Sequence, residues 1–182
     1  ELKDGLYEVM IDATLEDGSL TYGELVIPGQ VEDEIFFSTY ICHPSLANNE
    51  LSGPCLATFL ARELLGQNPY YTYRFVFVPE TIGSIAFIHN KGTKFLKKIV
   101  AAFNLTCVGD DNSWSLLPSR LGNTYADKVA KAVLDSARLQ YTEYNFIRDR
   151  GSDERQYCAP GVDMPMVSIM RSMYGTYPEY HT

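Results

Sequence analysis

The chain has 182 residues, of which 46% are hydrophobic and 21% are charged, and its formal net charge is −8. This length predicts one domain, residues 1–182, with a hydrophobic core of ordinary size. The negative charge argues against a nucleic acid and against an anionic membrane surface as partner. No apolar run approaches the roughly 20 residues that span a bilayer. Because the sequence begins at Glu1 rather than Met, we expect a fragment of a longer protein.

The four cysteines show no sign of a metal or redox motif, since no two of them form a CxxC pair. Three stand in or beside apolar runs, where small buried thiols are common. We therefore expect reduced cysteines and a cytoplasmic location rather than a disulfide framework. The cysteines are Cys42, Cys55, Cys107 and Cys158.

The first 30 residues alternate partly between apolar and polar side chains. Two such runs, 6–11 and 20–27, flank a turn signal at residues 16–19, and the second run ends at Pro28–Gly29. The pattern predicts a β-hairpin laid against one edge of the main sheet.

Strand-like and helix-like segments alternate along the rest of the chain. Nearly continuous apolar runs predict buried strands, and apolar residues spaced three and four apart predict amphipathic helices. The predicted strands are 35–42, 71–78, 99–108, 113–117, 141–147 and 164–170, and the predicted helices are 51–65, about 84–98, about 124–137 after an N-cap at Asn123, and a short one from Ser152. This order predicts an α/β fold with three αβα layers and a mostly parallel central sheet.

Two of the three histidines stand in predicted loops. His43 ends the buried strand 35–42, at the kind of strand end where α/β sheets bind ligands, and His181 follows the last strand. Imidazole nitrogens and carboxylate oxygens are the usual non-thiolate ligands of zinc, so the pair suggests a zinc site. A single histidine at a strand end is nevertheless more often a hydrogen-bonded structural residue. His89 lies within a predicted helix and is expected on the surface.

Three acidic residues stand at the ends of predicted elements. Glu80 follows the buried run 75–79, so partial desolvation would suit it as a general base, although it could equally cap the next helix. Asp110 follows the third buried strand, where it could bind a metal or close a turn. Asp153 belongs to the stretch 151–153, which is first a helix-capping signal and second a candidate ligand.

A nucleophilic mechanism finds little support in the sequence. Cys42 and His43 are adjacent on a strand, so their side chains should point to opposite faces. No GxSxG elbow, GxGxxG fingerprint or Walker loop occurs.

Short motifs at these strand ends carry a family resemblance. In chain order they are His43-Pro-Ser-Leu-Ala-Asn, Asn49-Glu-Leu-Ser-Gly53, Pro79-Glu-Thr-Ile-Gly83, Asn104-Leu-Thr-Cys-Val-Gly109, Gly151-Ser-Asp153 and Tyr180-His-Thr182. From about residue 34 to residue 182, the series resembles the zinc aminopeptidase family that also includes glutaminyl cyclases. The first and third motifs most resemble its aminopeptidase-like branch, found in bacterial proteins often linked to polysaccharide biosynthesis loci. The resemblance implies a zinc-exopeptidase fold.

The resemblance also implies roles for individual residues. His43 and His181 match zinc-binding histidines of the family, and Glu80 matches its general base. Three liganding acids of the family are replaced here, by Asn49 at the metal-bridging Asp, by Thr81 at the Glu after the base, and by Thr106 at a third Asp. One zinc ion, held by the two histidines and an oxygen ligand, is therefore implied rather than two. The oxygen ligand stays open among Asn49, Glu50, Asp110 and Asp153.

The implied function is a zinc-dependent hydrolase of aminopeptidase type. In that mechanism, a zinc-bound water attacks the carbonyl of a peptide or small amide substrate, and Glu80 takes its proton. The alternative is a pseudoenzyme or binding module that keeps the fold and cleft without catalysis. The replaced acids favour this alternative, whereas retention of His43, Glu80 and His181 together favours the enzyme.

Overall fold

A mixed sheet of seven strands forms the centre of the computed structural model, which describes residues 3–43 and 45–181. The strands are β1 (Gly23–Ile27), β2 (Glu34–Tyr40), β3 (Thr72–Val78), β4 (Ile99–Leu105), β5 (Trp114–Leu117), β6 (Tyr141–Glu143) and β7 (Met166–Met170). Their order across the sheet is β1-β3-β2-β4-β7-β5-β6. Four neighbouring pairs are parallel, whereas β1 runs antiparallel to β3 and β5 antiparallel to β7. The mostly parallel sheet predicted from the sequence is confirmed.

Helices cover both faces of the sheet. They are α1 (Ser52–Leu64), α2 (Ile82–Leu96), α3 (Tyr125–Ser136), α4 (Phe146–Asp149) and α5 (Glu154–Tyr157), and a π-helical turn, Ala47–Leu51, leads into α1. On one face, Ala57 of α1 and Ala130 of α3 are buried against the sheet. On the other face, Phe87 of α2 and Tyr157 of α5 pack around Phe36. The three-layer αβα arrangement is therefore present.

The central strand β2 is buried on both of its faces, as its apolar sequence predicts. Phe36 points towards α2 and contacts the rings of Phe87 and Tyr157, with centroid distances of 5.7 and 5.3 Å. Its neighbour Phe37 points the opposite way and stacks on Phe75 and Phe103 at 4.9 and 5.4 Å. Packing on both faces holds β2 in place, and β2 in turn positions the start of the loop that follows it.

The predicted N-terminal hairpin does not form, because only its second strand is present. Residues 20–27 contribute β1, which pairs with β3 at the sheet edge, but residues 3–22 contain no strand. The apolar side chains of the first run are exposed, with Leu6 and Val9 at 103% and 79% of their full accessibility. Alternation shows that a segment can form a strand, but it does not give the partner. The strand that pairs with β1 is β3 and not the run 6–11.

Two of the element boundaries that differ from the predictions have a clear local cause, and one helix is kinked. The N-cap of α3 is Thr124 rather than Asn123, because Thr124 and Asp127 form a reciprocal capping box. The predicted strand 141–147 ends at Glu143, since Asn145 caps the short helix α4. In α2, Gly92 takes a non-helical conformation with φ of 69°, so the helix is kinked there.

The parallel strands β2, β3, β4 and β7 end at the same edge of the sheet, where the predicted site residues are located. Pro44 and Thr182, which belong to two of the quoted motifs, lie outside the described residues, as do Glu1 and Leu2. None of the helices in the described part of the chain is long and apolar enough to cross a membrane.

Candidate active site

The carboxyl end of β2 presents His43, whose ring is fixed by a carboxylate from the following turn. His43 Nδ1 lies 2.5 Å from Glu50 Oε1. The second oxygen of Glu50 accepts a hydrogen bond of 2.9 Å from the backbone N–H of Cys42. His43 is partly exposed, whereas Glu50 is buried. The strand end and the turn are thereby joined through one side chain.

The loop after β7 brings the second predicted histidine to this point. The ring centroids of His43 and His181 are 5.1 Å apart. Tyr180 stacks on the His181 ring at 4.0 Å. Two histidines that are distant in the sequence therefore share one corner of the sheet edge, as predicted.

The tyrosine-rich loop that carries His181 is packed rather than open. Tyr177 is buried and donates a hydrogen bond of 3.4 Å to Cys107 Sγ. Tyr174 donates to the backbone carbonyl of Asp149 at 2.9 Å and contacts the carboxylate of Glu154 at 3.2 Å. These contacts pack the loop against the rest of the protein, and His181 follows directly after it.

Glu80 lies directly after β3 and is oriented by a serine from another loop. Ser152 donates a hydrogen bond of 2.8 Å to Glu80 Oε1, and the Glu80 carboxylate does not cap α2, whose N-cap Thr81 has no side-chain cap bond. Burial raises the pKa of Glu80, and the Ser152 hydrogen bond and the electrostatic effect of the nearby His43 oppose that rise. A carboxylate with a raised pKa is better suited to accept a proton near neutrality.

Asp153 is fully buried beside Glu80. Its Oδ1 accepts hydrogen bonds from the backbone N–H of Thr81 at 2.7 Å and from Ser84 at 2.8 Å, and its Oδ2 has no partner among the described residues. Burial raises the pKa of Asp153 to about 7, although these hydrogen bonds act against the rise. Asp153 is the N-cap of α5, at the position that the capping signal 151–153 indicates, but its side chain makes no cap bond there.

Asn49 lies in the π-helical turn and is buried. Its amide nitrogen donates to the Tyr40 hydroxyl at 2.5 Å, and that hydroxyl also pairs with Thr106. Asn49 Oδ1 is buried and has no hydrogen-bond partner among the described residues. An unpartnered buried acceptor costs about 1–3 kcal/mol, so a donor or cation at this oxygen would be favourable.

Asp110 joins two loops instead of facing the histidines. Its carboxylate accepts hydrogen bonds from the Asn48 side chain at 3.0 Å and from both the backbone N–H and the hydroxyl of Ser172 at 3.0 and 2.8 Å. Burial acts to raise the pKa of Asp110, but hydrogen bonds from Asn112, Ser172 and Asn48 outweigh it and lower the pKa. Both oxygens of Asp110 are thus already engaged.

The sequence indicated no role in the site for Ser152 or Glu154, and it left Glu50 as one oxygen donor among several. Glu154 is buried, and its Oε1 accepts hydrogen bonds from the backbone N–H groups of Gly151 and Ser152. Its Oε2 accepts from Asn104 at 3.2 Å. The sequence shows only that Glu50 precedes a helix and that Glu154 begins one. The contact of Glu154 with Asn104 spans 50 residues, and the contact of Glu50 with His43 depends on the fold of the turn.

Two cavities differ in chemistry. A cavity of about 450 Å³ opens beside His43 and Glu50, with Ile41, Leu51 and Pro54 among its walls. A larger apolar groove, of about 590 Å³, lies between α1 and α3, and no titratable side chain lines it. Of these two cavities, only the first has titratable side chains in its wall, those of Cys42, His43 and Glu50.

The groups around His43 include donors of the kinds that zinc binds. Cys42, His43 and Glu50 offer one donor atom each, and these atoms lie within 4.8 Å of one another. The expectation that the Cys42 and His43 side chains point to opposite faces was wrong, because β2 ends before both residues. His181 adds a second imidazole beside His43, and Asn49 adds an unpartnered oxygen. Two imidazoles and an oxygen fit one zinc ion with an open position. The single amide at Asn49 does not fit a carboxylate-bridged pair of ions.

A family model described as a domain of unknown function, DUF4910, matches residues 7–182. The chain belongs to the DUF4910 family. A curated relative from Clostridium acetobutylicum is 46% identical over all 182 residues and is described as a polysaccharide biosynthesis protein with an aminopeptidase-like domain. The chain spans 41% of that relative's length.

Solved structures place this DUF4910 chain among aminopeptidase folds. A crystal structure described as a peptidase from Clostridium acetobutylicum is 43% identical, with a TM-score of 0.86, over 92% of this chain and 39% of that one. A zinc aminopeptidase from Bacillus subtilis has a TM-score of 0.73 at 18% identity, over 87% of this chain and 42% of that one. An aminopeptidase from Aneurinibacillus sp. strain AM-1 has a TM-score of 0.71 at 16% identity, over 87% and 40%. The predicted α/β fold and family resemblance are confirmed.

Proposed function

We propose that this DUF4910 chain forms the catalytic part of a zinc-dependent, aminopeptidase-like hydrolase that acts on a peptide or small amide substrate. The observation that carries the proposal is the approach of the His43 and His181 rings, 5.1 Å between centroids, at the strand ends that also present Glu80. The aminopeptidase-like relatives favour this hydrolase over a non-catalytic binding module.

In this proposal, His43 and His181 hold one zinc ion together with an oxygen ligand. Of the four candidates from the sequence, Asn49 and Asp153 each keep a buried oxygen without a hydrogen-bond partner. Glu50 and Asp110 have both carboxylate oxygens engaged, as described above. The unpartnered oxygens make Asn49 and Asp153 the better candidates. A bound zinc ion would polarise the substrate carbonyl as a Lewis acid.

Glu80 is the proposed general base. It is partly buried, its raised pKa increases its affinity for a proton, and Ser152 holds one of its oxygens at 2.8 Å. In this proposal, the second oxygen of Glu80 takes the proton from a water molecule near the histidines. General-base catalysis of this kind contributes about 10²–10⁴-fold to the rate.

The cavity beside His43 is the proposed substrate site. Its apolar walls, Ile41, Leu51 and Pro54, suit a substrate with an apolar group next to the scissile amide. Neither a nucleic acid nor a membrane is part of this proposal, and a cytoplasmic location remains a prediction.

Elemental analysis and a cleavage assay test the proposal. Protein purified without chelator should hold about one zinc per chain, and it should cleave aminoacyl p-nitroanilides. His43→Gln and His181→Gln should lose the zinc, whereas His89→Gln, at an exposed histidine, should keep it. Absence of zinc, together with no cleavage after zinc addition, would refute the hydrolase. Zinc binding without any cleavage would support the non-catalytic binding module instead.

A further inference from the structure

The contact between Glu50 and His43 has the length of a hydrogen bond. His43 Nδ1 and Glu50 Oε1 are 2.5 Å apart. Two ligands of one tetrahedral zinc ion, each about 2.0–2.1 Å from the metal, would be separated by roughly 3.3 Å. The observed distance is too short for that arrangement. Glu50 therefore meets this ring nitrogen as a hydrogen-bond acceptor and not as a fellow ligand.

The backbone of the turn positions Glu50 for this contact. Leu46 O accepts hydrogen bonds from the N–H groups of both Glu50 and Leu51, at 3.0 and 3.3 Å. The second of these bonds spans five residues, which is the π-helical pattern, and single π turns are rare and frequently occur at functional sites. The wider turn directs the buried Glu50 carboxylate back to the strand end, where Cys42 N–H also binds it.

We infer that Glu50 is a positioning residue, which holds His43 as the tautomer with its proton on Nδ1 and leaves Nε2 as the nitrogen that binds a metal. A carboxylate behind a ligating histidine fixes the ring orientation and increases the basicity of the ligand nitrogen. Glu50 also supplies a negative charge next to the neutral Asn49. The metal-binding part of this inference rests on the proposed function, whereas the tautomer does not.

The competing arrangement uses Cys42, His43 and Glu50 themselves as three ligands, since their donor atoms lie within 4.8 Å. It would require His43 to bind the metal through Nδ1. Cys42 Sγ is 3.2 Å from that same nitrogen. Glu50 Oε1 lies 2.5 Å from that nitrogen as well, which is too close for both atoms to bind one ion. The positioning role therefore explains the contacts better.

Nitrogen NMR of the metal-free protein tests the tautomer directly. Long-range ¹H–¹⁵N spectra of chelator-treated protein at pH 8.5 should show the His43 proton on Nδ1, with the three histidines assigned from the His89→Gln and His181→Gln spectra. Glu50→Gln, which keeps an acceptor oxygen, should retain this tautomer, whereas Glu50→Leu should lose it. A wild-type His43 with its proton on Nε2 would overturn the inference, whether or not the protein is an enzyme.

Zinc titration by calorimetry provides the second measurement. Glu50→Leu should weaken zinc binding about 10–100-fold, and Glu50→Gln should weaken it less. Cys42→Ala removes the thiol and leaves the Glu50–His43 contact, so its affinity should stay within about threefold of wild type. An equal loss in Cys42→Ala and Glu50→Leu would establish the three-ligand arrangement instead. If wild type binds no zinc but shows the predicted tautomer, the proposed function fails and the positioning role stands.

Discussion

Ser152 donates a hydrogen bond of 2.8 Å to Glu80, although the two residues are 72 positions apart in the chain. Ser152 is itself held by the buried Glu154, whose carboxylate accepts the backbone N–H groups of Gly151 and Ser152 at 2.8 and 3.0 Å. The orientation of the proposed base therefore depends on a short loop before α5. That loop is fixed from the interior of the protein and not by solvent-exposed contacts.

Ser152→Ala should move the acidic limb of the pH–rate profile to higher pH. Burial raises the pKa of Glu80, and the Ser152 hydrogen bond partly opposes this rise by stabilising the carboxylate. Without the bond, the pKa rises further, and a base that must be ionised then needs a higher pH. We expect kcat/KM to fall by about tenfold or less on the acidic side and to recover at alkaline pH.

Ser172→Ala is the matched control for this experiment. Ser172 also donates a 2.8 Å hydrogen bond to a carboxylate, but that carboxylate belongs to Asp110. The acidic limb should keep its position in this variant. An equal displacement in both variants would mean that general destabilisation, and not the ionisation of Glu80, causes the change.

Glu80→Gln should abolish turnover and leave zinc binding intact. Glutamine has nearly the same size and can still accept the Ser152 hydrogen bond, but it cannot take a proton from water. We expect kcat to fall about 10²–10⁴-fold with an unchanged zinc content by elemental analysis. Glu143→Gln, at an exposed glutamate, provides the control. Activity within a few-fold of wild type would place the base elsewhere.

Much of the fold could be predicted because strands buried on both faces leave a clear signal. The sequence of β2 is an apolar run, and the end of the strand shortly before His43 follows from that run. The same pattern predicted the strand end before Glu80. Since the ends of parallel strands meet at one edge, the sequence already implied that these residues are neighbours. The hairpin failed because alternation in residues 6–11 does not specify which strand, if any, will pair with it.

The contacts that tune the site could not be predicted. The reach of Glu50 to His43 depends on a π-helical turn, which has no sequence signature of its own. The sequence around Ser152 predicts a helix-capping residue, but in the structure its hydroxyl donates a hydrogen bond to Glu80. Asp153 likewise gives up its local capping role for Thr81 and Ser84. In each case a tertiary partner competes successfully with the local one.

Asp153→Asn should stabilise the metal-free protein at pH 8. Burial raises the pKa of Asp153 from 3.8 to about 7, so the folded protein binds this proton more tightly than the unfolded chain does. The stability contribution is complete below pH 3.8 and is lost as the pH rises to about 7. Asparagine avoids this loss, which is about 4 kcal/mol at most. Urea unfolding between pH 4 and pH 8 measures the difference.

The same variant tests whether Asp153 is the oxygen ligand. Asparagine can still accept the hydrogen bonds from Thr81 and Ser84, so the variant should fold in the presence of chelator. Asp111→Asn, at an exposed aspartate, removes one negative charge without touching the site. If Asp153→Asn loses zinc and Asp111→Asn does not, Asp153 binds the metal as the ionised form. If Asp153→Asn keeps its zinc, Asn49 is the better candidate.

Gly53→Ala should destabilise the protein and weaken the site together. A methyl group at Gly53 would overlap the carbonyl oxygen of Leu105 in β4 and the Thr39 hydroxyl in β2. The start of α1 would have to move away from the sheet, and the π-helical turn that carries Glu50 directly precedes it. Overpacking of this kind costs about 1–3 kcal/mol, which exceeds the roughly 1 kcal/mol that alanine gains in helix propensity.

Gly18→Ala, where an added methyl group meets nothing within 4 Å, should change the unfolding free energy by less than about 0.5 kcal/mol. Equal stability of the two variants would show that α1 can shift freely, and the fixed position of Glu50 would then need another explanation.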